Sequence, residues 1–129
     1  MTTFKTFEDI EAWQKARELT REIYIVSNLG SFSKDFGLRD QIRRASVSIM
    51  SNIAEGFERG GTREFVQFLS VAKGSSGEVR SQLYVAVDQC YIDKDTFEHL
   101  FNLTTETSRM IAGLMNYLRK SKLKGSKYK

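Results

Sequence analysis

The chain has 129 residues, 40% of them hydrophobic, a formal charge of +4, one cysteine (Cys90) and one histidine (His99). Its length bounds it to a single domain with an ordinary core, and the lone cysteine and histidine exclude an intrachain disulfide and any cysteine- or histidine-rich metal site within one chain. It has no apolar run of about 18 residues, and Met1-Thr2-Thr3-Phe4-Lys5 lacks the basic-then-apolar order of a signal peptide, so the expectation is a cytoplasmic protein without membrane contact.

No proline occurs, and nothing forbids long helices. In the first periodic segment Ala12, Ala16, Leu19, Ile23 and Val26 step by four and three, flanked by Ile10, Trp13 and Tyr24. Thr6 with Asp9 is placed to cap its start, and Asn28-Leu29-Gly30-Ser31 to end it. The second segment runs from about Leu38 to Gly56 on a spine of Leu38, Ile42, Ala45, Ile49 and Ile53, and Glu58-Arg59-Gly60-Gly61 breaks it.

Thr62 is the expected N-cap of the third segment, where Phe65, Leu69, Ala72, Ser76, Val79, Leu83, Ala86 and Cys90 keep the four-three alternation. Gly74 and Gly77 each weaken that helix by roughly 1 kcal/mol, and with Ala72, Ser75 and Ser76 form a small-residue surface open to another backbone. After a turn at Tyr91-Ile92-Asp93, capped by Asp93 or Asp95, the fourth segment carries Phe97, Leu100, Thr104, Thr107, Ile111, Leu114 and Leu118. A second apolar line on it, Leu103, Met110 and Tyr117, widened by Phe101 and Met115, marks a candidate oligomer interface.

Long helices with short connections pack best as antiparallel neighbours. The expected fold is all-α, an up-down-up-down four-helix bundle over residues 1–118 that assembles as a homo-oligomer. Residues 119–129 form a basic C-terminal tail with six basic residues and no acidic ones; without those six charges the formal +4 becomes −2 for the body. Basic tails are either solvated complements to a helix C-terminus or phosphate contacts, and Arg119, Lys120, Lys122 and Lys124 are candidates for the second role.

No constellation for catalysis emerges. There is no nucleophile elbow, Walker A loop or dinucleotide fingerprint; Gly74-Ser75-Ser76-Gly77 lies within a helical pattern. Cys90 sits at a core position with no activating base, and the residues before His99 do not form the Arg-to-His spacing of one helical nuclease class. The protein is expected to be no enzyme and to use no cofactor.

In the second helix Arg44, Ser48, Ser51 and Glu55 are spaced four, three, four along one stripe, with Asn52 beside it. Arg44 and Glu55 are three turns apart, so each requires a partner on another helix or subunit. The stripe is expected to be a structural or assembly network. Arg39, Arg43, Arg59 and Arg63, near the ends of the second helix and the start of the third, are the better candidates for phosphate contacts.

The run Gln41-Ile42-Arg43-Arg44-Ala45 and the run Ser51-Asn52-Ile53-Ala54-Glu55-Gly56 are specific in order as well as composition. Together with Trp13-Gln14-Lys15-Ala16, Glu64-Phe65, Phe68-Leu69, Ala72-Lys73-Gly74-Ser75 and Glu78, they resemble the four-helix-bundle proteins encoded by intervening sequences of bacterial 23S rRNA genes. That family includes the accessory protein of diversity-generating retroelements. The resemblance implies a four-helix protomer, a homopentamer and, for the retroelement branch, RNA or DNA binding through a basic surface beside a reverse transcriptase. Relatives commonly carry proline where this chain has Met50 and another in the first interhelix loop, here Ser31-Phe32-Ser33-Lys34. The expected function is a nucleic-acid-binding oligomer, with a protein-interaction scaffold as the alternative.

Overall fold

The computed structural model describes residues 4–123, with side chains through Ser121. Four helices carry the fold: α1 Glu11–Ser27, α2 Phe36–Glu58, α3 Thr62–Asp88 and α4 Lys94–Leu123, with short 3-10 turns at Phe7–Asp9 and Gly30–Lys34. Cross-helix pairs show that each neighbour runs antiparallel to the last. Thr20 meets Ser46, Ser48 meets Ser75, Tyr84 meets Phe97 and Lys15 meets Glu106. The order around the bundle is α1, α2, α3, α4, with α4 closing back on α1. No strand occurs among the described residues.

The predicted spines are the core. Leu19, Ile23, Ile42, Ile49, Ile53, Phe65, Leu69, Leu83, Leu100 and Ile111 are all fully buried. Polar residues in the same lines are satisfied by their own helices. Thr104 Oγ1 donates to the Leu100 carbonyl at 2.7 Å, Thr107 Oγ1 to that of Leu103 at 2.8 Å and Ser76 Oγ to that of Lys73 at 2.6 Å. A hydroxyl bonded back to its own helix enters a core without an orphaned donor, so threonine substitutes for an apolar residue there.

The helix ends depart from the sequence expectation in three places. Thr6 and Asp9 cap the Phe7–Asp9 turn, the Asp9 carboxylate accepting from the amides of Lys5 and Thr6 at 2.9 and 3.2 Å, and α1 begins only at Glu11. Those two amides hold the Asp9 carboxyl below its usual range. Gly61, not Thr62, holds the N-cap position of α3, because the left-handed Gly60 (φ 86°) ends α2 and leaves Gly61 extended. Cys90 is exposed, not in the core: α3 stops at Asp88 in a Schellman turn, with the Tyr91 amide bonded to the Ala86 carbonyl and Cys90 left-handed at φ 62°.

At the end of the bundle where α2 starts, Asp35 performs two tasks. Its Oδ1 accepts from the Leu38 amide at 3.1 Å as N-cap of α2, and its Oδ2 accepts from the Tyr91 hydroxyl at 2.9 Å. That bond pushes the Tyr91 phenol above its usual range, and its ring stacks on the buried Phe32 at 5.4 Å. At the start of α4, Asp93 Oδ1 accepts from the Thr96 amide at 2.8 Å, which holds its carboxyl below the usual 3.8.

The glycines divide by what surrounds them. A Cβ at Gly56 would lie 2.7 Å from Phe68 Cβ and 3.0 Å from Phe65 Cδ1, whereas Gly74 and Gly77 face open space. Gly56→Ala is expected to destabilise the protein by about 1–3 kcal/mol through overpacking, while Gly77→Ala stabilises it by about 1 kcal/mol through helix propensity; urea midpoints measure both. Cys90→Gly relieves the left-handed side chain and is expected to raise stability by roughly 1 kcal/mol in the same assay. Since the folded pKa of Asp93 is lowered, its stabilisation is complete above the unfolded value and is lost as pH falls through the folded one. Asp93→Ala should therefore lower the melting temperature at neutral pH, and the difference from the parent chain should shrink as pH falls below the usual carboxylate range.

Candidate nucleic-acid and assembly surfaces

The arginines proposed for phosphate contact fall at opposite ends of α2. Arg39 and Arg59 are twenty residues apart, about 30 Å along the axis at 1.5 Å per residue. Near the start of the helix, Arg39 donates from Nε to Asp40 at 2.9 Å and from Nη1 to the Ser33 carbonyl at 3.0 Å, and covers the Phe36 ring at 4.8 Å. Arg43 donates from Nε to Ser27 Oγ at 2.8 Å and lies 4.7 Å over Tyr24, tying α2 to α1. At the other end Arg59 pairs with Glu55 at 3.0 Å and Glu64 at 3.8 Å and lies 5.0 Å over Phe68.

Arg63 differs. It is exposed and makes no ion pair among the described residues. The antiparallel order returns the last turns of α4 to the same end of the bundle, where Arg119 and Lys120 are likewise exposed and without ion pairs among the described residues. The segment read as a tail from residue 119 thus begins as helix and continues so to Leu123. Lys122 lies in that helix with its side chain outside the described set, and Lys124 lies outside the described residues.

The polar stripe of α2 divides into three parts. Ser48 Oγ and Ser75 Oγ are 2.9 Å apart across the α2–α3 contact, and Asn52 Nδ2 donates to the Ser48 carbonyl at 2.8 Å and to Ser48 Oγ at 3.0 Å. This three-residue node is the interhelix network. Glu55 finds its partner on its own helix in Arg59, an i,i+4 pair, so the expected distant partner is not needed. Arg44 and Ser51 are exposed. Arg44 lines an open groove of about 690 Å³ with Val47, Ser48, Glu78 and Gln82, and makes no ion pair with Glu78 or any other described residue. Gln82 Oε1 is buried there without a hydrogen-bond partner.

The second apolar line of α4 does not face outward as expected. Leu103 is 6% exposed and Met115 7%, both within the core, because α4 is flanked by α1 and α3. Met110 and Tyr117 are half-buried against the core, and Met110 shares a cleft with Phe4, Ile10 and Ala12. The exposed large apolar side chains lie elsewhere, at Tyr24, Ile25, Leu29, Phe36, Val47, Val71, Tyr84 and Val85.

His99 Nε2 lies 2.7 Å from Glu22 Oε1, joining α4 to α1 on an exposed surface. That pair and the Tyr91–Asp35 bond had no local signal, because each joins residues more than fifty positions apart. Of the arginine–aromatic contacts, Arg17 over Trp13 and Arg39 over Phe36 follow from helical spacing, while those of Arg43, Arg59 and Arg80 join different helices. No helix among the described residues is long and apolar enough to cross a membrane.

The model for the 23S rRNA-intervening sequence protein family matches residues 8–113. No curated protein matches the chain. Among solved structures it is similar to a protein of unknown function from the S23 ribosomal protein family of Bacteroides thetaiotaomicron, with a TM-score of 0.73 and 23% identity. The alignment covers 81% of this chain and 97% of that one, and at this identity the likeness shows the fold. With the match spanning all of α1, α2 and α3 and most of α4, the chain belongs to the 23S rRNA-intervening sequence protein family.

Proposed function

We propose that the protein is a non-enzymatic, cytoplasmic homo-oligomer of helical bundles that binds RNA or DNA. The observation that carries this is the set of exposed cations without ion pairs, Arg63 from α3 with Arg119 and Lys120 from α4, gathered at one end of the bundle. Cations without neutralising carboxylates favour a polyanion, whose condensed counterions are released on binding. At the opposite end Arg39 and Arg43 retain guanidinium donors beyond those used by Ser33, Asp40 and Ser27. Self-association is supported by Arg44 and Glu78, which share a groove without pairing. A neighbouring copy that brings an opposite charge to each would satisfy both, and in the homopentamer that the family resemblance implies it would do so with a different face of its own, since closed rings use heterologous contacts. The non-enzymatic reading rests on the sequence, which carries no nucleophile, base and orienting group in a recognisable catalytic pattern.

A protein-interaction scaffold is the second reading. It is favoured by the exposed Ile25, Leu29 and Phe36, each more than half exposed near the start of α2.

Titrating labelled RNA and DNA across a salt series tests the first reading. Binding should weaken steeply with salt, and each of Arg63→Ala, Arg119→Ala and Lys120→Ala should flatten the logarithmic slope by about 0.7 to 0.9 per lost phosphate contact. Absence of binding at low salt rejects nucleic-acid recognition and favours the scaffold. Light scattering checks the assembly: a monomer at micromolar concentration rejects it, and Arg44→Glu is expected to lower the mass of an oligomer.

A further inference from the structure

The outer seam between α3 and α4 carries a feature that neither the core nor the cation cluster explains. Tyr84, Phe97 and Phe101 form a closed aromatic triad. Ring centroids are 5.1 Å apart for Tyr84–Phe97, 5.6 Å for Tyr84–Phe101 and 5.3 Å for Phe97–Phe101. The Arg80 guanidinium lies 5.1 Å over Phe101. Phe97 and Phe101 are half-buried against the core, but Tyr84 is 52% exposed on the outer side of them.

The surrounding residues fit a strand with bases and phosphates. Lys73, Gly77, Arg80 and Tyr84 are spaced four, three, four on α3 and all are exposed; Lys94, Phe97 and Phe101 follow the facing border of α4. Lys73, Arg80 and Lys94 make no ion pairs among the described residues; the exposed acids Asp88 and Glu98 follow one turn beyond Tyr84 and Lys94 and bound the basic stretch at that end. A Cβ at Gly77 would meet nothing within 4 Å, so the protomer does not require glycine there, and the seam is shallow next to the triad. A half-exposed aromatic ring beside guanidinium and ammonium groups without ion pairs is the combination that holds unpaired bases by stacking and their backbone by charge.

We propose that the α3–α4 seam centred on Tyr84, Phe97, Phe101 and Arg80 is a stacking platform for a single-stranded nucleic acid. The platform rests on the nucleic-acid reading above and narrows its partner to strands with unpaired bases. A duplex buries its base faces and contacts only the cations. Neither a ring face nor a guanidinium reads the sugar 2′ position, so ribose and deoxyribose strands bind alike.

The test compares fluorescence anisotropy of labelled oligo(dT) and oligo(rU) of about 15 nucleotides, long enough for one platform, with a duplex of the same length. The wild-type chain should prefer both single strands to the duplex. Tyr84→Ala should weaken single-strand binding by about 5- to 150-fold, the range that loss of one stacked base gives, with duplex binding unchanged. Arg80→Ala should also flatten the single-strand salt slope by about 0.7. Tyr84→Phe keeps the ring and should bind as the wild type does, which separates stacking from misfolding. Tyr84→Trp should show emission quenched by oligo(dT).

If the wild-type chain binds no nucleic acid at low salt, the nucleic-acid reading and the platform fall together. If it binds but Tyr84→Ala and Tyr84→Trp report no effect on single strands, only the platform is overturned. A change of assembly mass in Tyr84→Ala with oligonucleotide affinity unchanged also overturns it, by assigning the seam to protein contact.

Discussion

The end of α2 and the start of α3 approach too closely to admit a side chain at Gly56. Gly56 has no side chain, and Phe65 and Phe68 press onto the backbone there, so the two helices meet at a distance that any Cβ would prevent. That contact fixes the register of the α2–α3 hairpin, and four residues later Gly60 turns the chain. Register then places Ser48 opposite Ser75 and brings Arg44 and Glu78 to one groove. Because α4 packs along α3, the same register also sets which aromatic residues of the two helices meet at the outer seam.

The polar chemistry of the protein follows from how each group is satisfied. Buried hydroxyls of Thr20, Ser46, Thr104 and Thr107 bond to carbonyls of their own helices, and Thr20 also reaches the Ser46 carbonyl of α2 at 3.2 Å. They occupy core positions without demanding distant partners. Arginines on α2 instead use aromatic faces and local oxygens, which leaves little of the charge of Arg39 and Arg59 unshared. Arg63, Arg119 and Lys120, which have no such partner, come together where the α2–α3 turn meets the end of α4, and Lys73 and Lys94 lie along the α3–α4 seam. Net charge alone, +4 for the chain, gives no hint of this uneven distribution.

Much of the fold was legible because helical periodicity is local. The spines through Ile42, Ile49 and Ile53 and through Leu69, Ala72 and Leu83 are buried as their spacing required. Cys90 continued the α3 spacing yet left the core, since the chain adopted a left-handed turn at a residue that gives no glycine signal. Leu103 fell on a second apolar line and Met115 beside it, but a line on a helix does not say whether the element covering it belongs to the same chain or another. Here α1 and α3 flank α4 closely enough to take both residues into the core.

The sequence by itself determined the four helices, their spines, the glycine break between α2 and α3, and the order of residues on each helical face. All of these depend on interactions within a few turns, where residue type and spacing decide the outcome. Only the tertiary structure decided that Arg43 would tie α2 to Ser27 and Tyr24 of α1, that Tyr91 of the α3–α4 turn would bond to the N-cap of α2, and that Arg63 would share an end with Arg119 and Lys120. It also decided the meeting of Tyr84 with Phe97 and Phe101. Those arrangements join residues from different helices, so they follow from packing register and helix order rather than from any pattern along one segment.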